Sequence, residues 1–402
     1  MKRAIIPVFG PVDVPPLVSE LAMLPEIQRL RHVSLSNIDS CSLTAIGGVS
    51  RYEHSLGTAI LAWQLADRLK LDEEFRNELV IAAALHDVAA PGLGHLFEEG
   101  CALADVPFDH ETRLRELFIQ EGQTYYQVYL GRELGFRRVL DNYRIAPQAV
   151  LDAITGGGRC GRAISGTIDL DNIDNVARML SRLATPVDGD TLRGFTKMFR
   201  VESDAIAVDE SQGSLFGSWL ALRRKLYNIL MLERLDFAAK SMTKRAVAVG
   251  LQSGGLTKDD WHLTDYQLLL KLREHDETSK LVERLWLGDY YSMVGLYWVE
   301  GPQVSTILRQ KQRRQELEME LASALGLTVM LDYIMDKRER ALNGLTPPAR
   351  ALLGVMSDTE SARIRHRSLC GQVVRRHFAA VSDVSEDSGA ADGGSLLPFA
   401  NT

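Results

Sequence analysis

The sequence predicts a mainly α protein, in which a helical core is followed by a C-terminal helical region. Apolar residues recur at helical spacing along most of the chain, for example in SLGTAILAWQLADRLKL from Ser55 to Leu71. Strand patterns are few, and they lie at Ala4–Phe9 and Phe199–Val208. The chain shows no internal repeat. We therefore expect one helical core with short extended segments.

Four segments are predicted in chain order. Residues 1–16 are rich in proline and extended, and residues 17–250 form the helical core. Residues 251–381 form the C-terminal helical region. Residues 382–402 are rich in Ser, Gly, Ala and Asp and are predicted to be disordered. Apolar periodicity predicts further helices at Phe75–Val88, His110–Gln120, Asn172–Leu183, Leu215–Val247, Asp259–Leu285 and Ile307–Gly326.

The composition is that of an ordinary globular protein, with 402 residues, 46% hydrophobic and 25% charged. The net charge of −7 argues against a protein built to coat nucleic acid. Four scattered cysteines without a CxxC pair fit a reducing compartment and argue against a thiolate zinc site. The start lacks the apolar run of a signal peptide, and no stretch approaches the roughly 20 apolar residues of a membrane span. We therefore expect a cytoplasmic protein.

The pair His86-Asp87 ends an apolar helix, LVIAAALHDV. An imidazole next to a carboxylate is costly in a buried setting unless a partner, most commonly a metal, compensates it. His54 lies upstream in RYEHSLG, and Asp171 lies downstream in ISGTIDLDNIDNVARML. Two imidazoles and two carboxylates suit Fe, Mn, Zn, Ni or Mg rather than Cu(I) or an iron–sulfur cluster. The residues thus indicate a divalent-metal site with positions open to water or phosphate.

Five stretches resemble the HD-domain metal-dependent phosphohydrolases, and more closely their deoxynucleoside triphosphate triphosphohydrolase branch, which includes the SAM-and-HD-domain enzyme. They keep the order and approximate spacing of that family and cover about the first half of the chain. The resemblance implies that the helical core is an HD domain. The stretches are PEIQRLRHV (25–33), SRYEHSLGTAILA (50–62), LVIAAALHDVAAPGLGHLFE (79–98), FDHETR (108–113) and ISGTIDLDNIDNVAR (164–178).

The resemblance also implies which residues hold the metal. One divalent ion per site would be bound by a set of four side chains, and its identity is left open. Asp169 and Asp174 compete with Asp171 for the fourth position, and Asp171 could instead be a helix N-cap. The register of the family selects Asp171. The implied ligands are His54, His86, Asp87 and Asp171.

Further site residues follow from the same resemblance. His95 and His110 match active-site histidines, and Glu98 takes the place of an acid that orients one of them. Because Glu98 lies three residues beyond His95, it could fix the tautomer of that imidazole on a helical turn. Arg51 offers a fork of donors that suits phosphate. A later helix resembles one that contacts phosphates and base, through Arg223, Arg224 and Tyr227.

Four positions depart from the triphosphohydrolase pattern. The family reads HDxxH, whereas the position after HDVA is Ala90 here, so one active-site histidine is missing. A lysine that meets the triphosphate is replaced by Asn172. The tyrosine and aspartate that help to hold the sugar are replaced by Asn175 and Met179. The metal site is therefore expected to be intact, with a rebuilt substrate pocket.

We interpret the chain as a metal-dependent nucleotide phosphohydrolase that converts a (deoxy)nucleoside triphosphate into nucleoside and triphosphate. One alternative is an HD-type nucleoside monophosphatase or phosphodiesterase, and another is a nucleotide-sensing protein with weak turnover. Family habit implies a homo-oligomer and a nucleotide effector. Nucleic acid, bound through the basic pieces Lys337–Arg340 and Arg363–Arg367, is allowed but not favoured, and no membrane partner is expected.

Overall fold

The computed structural model describes residues 2–36, 42–43, 47–119, 134–183, 185–336, 349–359 and 364–384. Helices predominate in these residues, which confirms the predicted mainly α class. None of the helices within the described ranges is long and apolar enough to cross a membrane. Most of the predicted tail and the basic piece Lys337–Arg340 lie outside the described residues.

Eighteen helices and eight strands are assigned in the described residues. The helices are α1 (Pro16–Ala22), α2 (Pro25–Arg29), α3 (Arg51–Leu69), α4 (Glu73–Leu85), α5 (His95–Leu103), α6 (His110–Ile119), α7 (Gly135–Tyr143), α8 (Pro147–Ile154), α9 (Gly161–Ile164), α10 (Leu170–Arg182), α11 (Gly189–Phe195), α12 (Gly213–Leu232), α13 (Arg234–Ser253), α14 (Asp265–Arg273), α15 (Asp276–Leu287), α16 (Val304–Arg309), α17 (Lys311–Leu325) and α18 (Ile364–His377). The strands are β1 (Arg3–Ile6), β2 (Gly10–Asp13), β3 (Phe199–Glu202), β4 (Ala205–Val208), β5 (Ser292–Glu300), β6 (Val329–Met335), β7 (Arg350–Ser357) and β8 (Ala380–Asp383).

The chain divides into two compact units. The first unit consists of Met1–Asp39, Leu43–Leu226 and Lys244–Val282. The second consists of Tyr227–Thr243, Glu283–Thr402 and the short piece Ser40–Ser42. Both predicted strand regions lie in the first unit, where β1 pairs with β2 and β3 pairs with β4 as two-stranded antiparallel hairpins.

Two buried helices form the centre of the first unit. The Ser50 hydroxyl caps α3 by accepting from the amide of Glu53, and the left-handed residue Lys70 ends that helix. The Asp72 carboxylate caps α4 by accepting from the amide of Phe75. Helix α3 packs against α4 and α10. Because residues on nearly every side of α3 are buried, its few polar side chains must find partners inside the core.

The second unit contains a four-stranded antiparallel sheet with the order β6-β7-β5-β8. Trp298 of β5 faces Leu352 of β7 on one side and Ser382 of β8 on the other. Helices α16, α17 and α18 supply buried apolar residues to the core on this sheet. The C-terminal region is therefore helical only in part, and its sheet was not predicted from the sequence. Short, continuous apolar strands cannot be told from buried helix by periodicity, which explains the omission.

Candidate metal centre

Three helices of the first unit bring the four predicted ligands together. His54 lies in the first turn of α3, and Asp171 is the second residue of α10. His86 ends α4 as its C-cap residue, and Asp87 follows it. The candidate ligands therefore come from the ends of secondary-structure elements, where polar side chains can converge without interrupting a helix.

The ring nitrogens of the two histidines converge on the carboxylates. The Nε2 atoms of His54 and His86 are 3.1 Å apart, and His54 Nε2 lies 3.0 Å from Asp171 Oδ1. His86 Nε2 lies 3.7 Å from Asp87 Oδ2 and 3.8 Å from Asp171 Oδ1. One potential ligand atom from each of His54, His86 and Asp87 lies within 4.8 Å of the others. This spacing allows the three side chains to hold one ion.

The partners of the opposite ring nitrogens define the histidine tautomers. His86 Nδ1 is 2.8 Å from the carbonyl oxygen of Ala83, which can only accept, so Nδ1 donates its hydrogen. His54 Nδ1 is 2.8 Å from Asp174 Oδ2 and donates to that carboxylate. In the neutral imidazoles, both Nε2 atoms then present lone pairs to the same point. Such an arrangement is repulsive unless a cation or a proton lies between the lone pairs.

The charged groups around the two histidines shift the pKa values of the site. Burial alone would lower the pKa of His54, but hydrogen bonds to Asp171 and Asp174 outweigh it and raise that pKa to about 10. Burial opposes ionisation of Asp87, yet the charges of Arg51, His86 and His54 hold its pKa well below the usual range. The site therefore favours a positive charge at His54 Nε2, which either a proton or a metal ion would supply.

One buried oxygen provides a test of whether the site fits a metal. Asp87 Oδ1 accepts from Arg51 Nη1 at 2.7 Å, whereas Asp87 Oδ2 is buried without a hydrogen-bond partner. Burying a carboxylate oxygen without a partner is costly. A divalent ion would compensate that oxygen, and imidazole and carboxylate ligands suit such an ion. The residues present therefore fit the predicted group.

A second layer of buried charge supports His54. Arg178 is fully buried, and its Nε and Nη2 donate to the two oxygens of Asp174 at 2.9 and 2.8 Å. Arg178 Nη1 also donates to the carbonyl oxygen of Pro7 at 3.2 Å. From the sequence, Asp174 was predicted only as a competing ligand, and Arg178 was assigned no role. Their i, i+4 spacing on α10 is the signal that could have identified the pair.

Replacing Asp174 by asparagine is expected to lower metal affinity by about 10- to 100-fold. The amide oxygen can take the place of Oδ2 and accept from His54 and Arg178 Nε, but the amide NH2 group would then face the donor Arg178 Nη2, and the negative charge beside His54 is lost. Metal titration of the purified variant measures the effect. Asp72→Asn is the matched control, because Asp72 caps α4 and asparagine serves equally well as a cap. Unchanged affinity in Asp174→Asn would contradict the orienting role of Asp174.

The structure separates Asp171 from its neighbour Asp169. Asp169 is the N-cap of α10, where its Oδ1 accepts from the Asn172 amide at 2.7 Å. Asp171, in contrast, reaches both histidines of the candidate centre. The capping role that the sequence allowed for Asp171 thus belongs to Asp169. Coordination by Asp171 stays a prediction.

The remaining predicted site residues are more widely placed. His95 is the first residue of α5, and its Nδ1 lies 2.8 Å from Glu98 Oε2, as the tautomer argument requires. The His95 side chain is 65% exposed, so solvent or a ligand can reach it. His110 begins α6, but its side chain lies outside the described structure.

The predicted substrate contacts on α12 differ in accessibility. Arg223 is buried, with its guanidinium carbon 5.8 Å from the centre of the Trp219 ring. Arg224 is exposed, and Tyr227 is half-buried. Contact of these residues with a substrate stays a prediction.

Comparison with known proteins supports the assignment of the centre. Residues 51–154 match the HD domain family. The chain is 25% identical over 277 residues to the uncharacterized protein MJ1154 of Methanocaldococcus jannaschii. The aligned segment covers 68% of this chain and 54% of that protein. The chain thus spans about half the length of the curated relative that it matches. The matched segment includes His54, His86 and Asp87, which the structure groups as potential ligands. Residues 51–154 of this chain are therefore similar to an HD domain.

Proposed function

We propose that the protein hydrolyses (deoxy)nucleoside triphosphates to nucleoside and triphosphate in a reaction that depends on a divalent metal. An HD domain implies metal-dependent phosphohydrolysis. The observation that carries the proposal is a pair of buried atoms without hydrogen-bond partners, Asp87 Oδ2 and Arg51 Nε. A cation would compensate the buried oxygen of Asp87, and an anion would accept from the buried N–H of Arg51. Because Arg51 and Asp87 are paired to each other, a metal and a phosphate would meet at their junction.

The side chains have distinct roles in this proposal. A divalent ion held by His54, His86, Asp87 and Asp171 would neutralise charge on the phosphoryl group and ease attack by water. Arg51 binds a phosphate oxygen through the N–H that its pairing with Asp87 leaves available.

Protonation of the leaving group is assigned to His95. Water adds to phosphorus, the bond between phosphorus and the 5′ oxygen breaks, and the leaving oxygen takes up a proton. As an imidazolium, His95 can give that proton from Nε2 and return to the neutral form, in which the Nδ1 hydrogen stays bonded to Glu98, while the attacking water passes its own proton to solvent. Glu98 thereby keeps the imidazole in the orientation that this transfer needs.

The alternative function is hydrolysis of a substrate with fewer phosphate groups, and the surroundings of Asn172 favour it. Asn172 stands where the triphosphohydrolases carry a lysine for the triphosphate. Its amide donates to both oxygens of Asp169, at 2.8 and 3.0 Å, and so stays at the start of α10. Met179 is buried and apolar where those enzymes have an aspartate. Both features support a monophosphatase or phosphodiesterase built on the same metal centre.

Product analysis distinguishes these activities. Metal-loaded protein would be incubated with Mn²⁺ or Mg²⁺ and with each NTP, dNTP and NMP, singly and in mixtures, with Asp87→Asn as the blank. The proposal predicts nucleoside and inorganic triphosphate in equal amounts. Nucleoside and orthophosphate from an NMP would replace it with the monophosphatase assignment. Metal-bound protein that releases no product from any mixture would contradict both and favour a nucleotide sensor.

A further inference from the structure

We propose that Asp265 is a positioning residue for the reaction, since it joins the loop that precedes Arg51 to the loop that precedes His95. This inference rests on the proposed function, in which Arg51 and His95 act on the phosphate group. Asp265 lies about 180 residues from the predicted ligands Asp87 and His86 in sequence, and no motif in the chain identifies it.

The contact is a bridge between two backbone amides. Asp265 is the first residue of α14 and is half-buried. Its Oδ2 accepts from the amide of Ser34, and its Oδ1 accepts from the amide of Leu93, each at 2.7 Å. Charged acceptors make short, strong hydrogen bonds of this kind. One carboxylate therefore ties together two segments of the first unit that are distant in sequence.

Both amides lie next to predicted site residues. Ser34 forms an isolated β-bridge with Ser50, and the neighbouring Val33 carbonyl accepts from the amide of Arg51 at 2.9 Å. Ser34 thus helps to place the start of α3, which carries Arg51 and His54. A shift of this bridge would move the Arg51 guanidinium away from Asp87.

The second amide belongs to a strained loop. Leu93 has a φ of 61°, in the left-handed region that residues with a side chain seldom adopt, and Gly94 follows with a φ of 52°. His95 comes directly after this pair. Strain of this kind persists where surrounding contacts enforce it, and it is common at functional sites. The bond from Leu93 to Asp265 is such a contact.

Further contacts connect the loop before His95 to the segment before Asp265. The Arg29 guanidinium donates to the carbonyl of Ala90 at 2.9 Å and to those of Trp261 and His262 at 3.1 and 2.6 Å. It therefore links the loop after Asp87 to the segment that precedes Asp265. At Gly92, a Cβ would lie 2.5 Å from the Leu263 carbonyl oxygen, so a side chain at this position would force the two backbones apart.

Ionisation of Asp265 lowers the stability of the folded chain. Burial raises its pKa to about 6, although the amides of Leu93 and Ser34 and the charges of Arg51 and Arg29 oppose that shift. The folded chain binds this proton more strongly than the unfolded chain does. Stability is therefore lost as the pH rises from the unfolded pKa through the folded one. The ionised carboxylate therefore lowers stability near neutral pH, and this loss is consistent with a role in positioning the two loops.

The test replaces Asp265 by asparagine, which has the same shape but can accept from only one of the two amides. We expect kcat to fall by about tenfold or more, with bound metal and the midpoint of thermal unfolding retained. Asp260→Asn is the matched control, because Asp260 lies in the same segment and bonds to Thr257 and Lys271 instead. Activity of Asp265→Asn within about twofold of wild type would overturn the proposal.

The activity of Asp265→Glu and amide hydrogen exchange provide two further tests. If Asp265→Asn does not fold, Asp265→Glu decides, since it keeps the charge but its extra methylene group prevents the two-amide contact. Full activity in that variant would overturn the positioning role. If wild type hydrolyses nothing, the proposed function fails, and amide hydrogen exchange still tests the bridge. We expect faster exchange at Ser34 and Leu93 together in Asp265→Asn, and unchanged exchange at both would overturn the bridge.

Discussion

Replacing both His86 and Asp87 by alanine is expected to remove the bound metal and to lower turnover by at least about 10³-fold. The variant loses one of the two converging Nε2 atoms, and it loses the buried Asp87 Oδ2, which has no hydrogen-bond partner. His54 and Asp171 alone would leave too few ligands to hold a divalent ion. Metal content by elemental analysis and product release under saturating nucleotide measure the two effects.

The chain provides a matched control for this variant. A second His-Asp dipeptide occurs at His275-Asp276, outside the segment that matches the HD family. His275→Ala/Asp276→Ala is expected to retain metal and turnover. Asp87→Asn separates metal loss from loss of the hydrogen bond to Arg51, because its amide oxygen can still accept from Arg51 Nη1. If the His86→Ala/Asp87→Ala protein is folded and keeps full turnover, the reaction does not use this centre.

Replacing Gly57 by alanine is expected to destabilise the fold by about 3–5 kcal/mol, the cost of breaking a buried ion pair. Alanine for glycine inside a helix would otherwise stabilise by about 1 kcal/mol. At Gly57, however, a Cβ would overlap both Arg178 Nη2 and Asp174 Oδ1. The glycine therefore gives the Asp174–Arg178 pair room against α3, one turn from His54. The free energy of unfolding in urea measures the loss.

Gly217 is the matched control for Gly57. It lies inside α12, and a Cβ there would meet nothing within 4 Å. Gly217→Ala is therefore expected to stabilise by about 0.5–1 kcal/mol. We also expect Gly57→Ala to bind metal less tightly, since displacement of Asp174 would release His54 Nδ1. Equal stability changes in the two variants would show that the close packing at Gly57 carries no energetic weight.

The candidate metal centre was the part of this protein most open to prediction from sequence. His86-Asp87 could be identified because an apolar helix ends in two adjacent polar groups, and resemblance to a family added His54 and Asp171. The same dipeptide at His275-Asp276 shows that the pair alone is not specific. The position of Glu98, three residues beyond His95, also predicted a contact that the structure contains.

Other features depend on contacts that no local pattern encodes. Asp265 meets Ser34 and Leu93 only because α14 packs on both loops, so its role follows from the fold and not from spacing. The sheet of the second unit has a similar origin. β5 pairs with β7 and β8 rather than with its neighbour in sequence, β6. Its apolar run is equally compatible with a buried helix until these partners are known.

Metal dependence of the wild-type protein tests the central claim most directly. Protein stripped with a chelator would be reloaded with increasing Mn²⁺, and bound metal and nucleotide hydrolysis would be measured on the same samples. We predict that activity rises in proportion to bound metal and saturates at one ion per chain. Full hydrolysis by metal-free protein, or saturation of metal at this stoichiometry without any hydrolysis, would contradict the proposed metal-dependent phosphohydrolase.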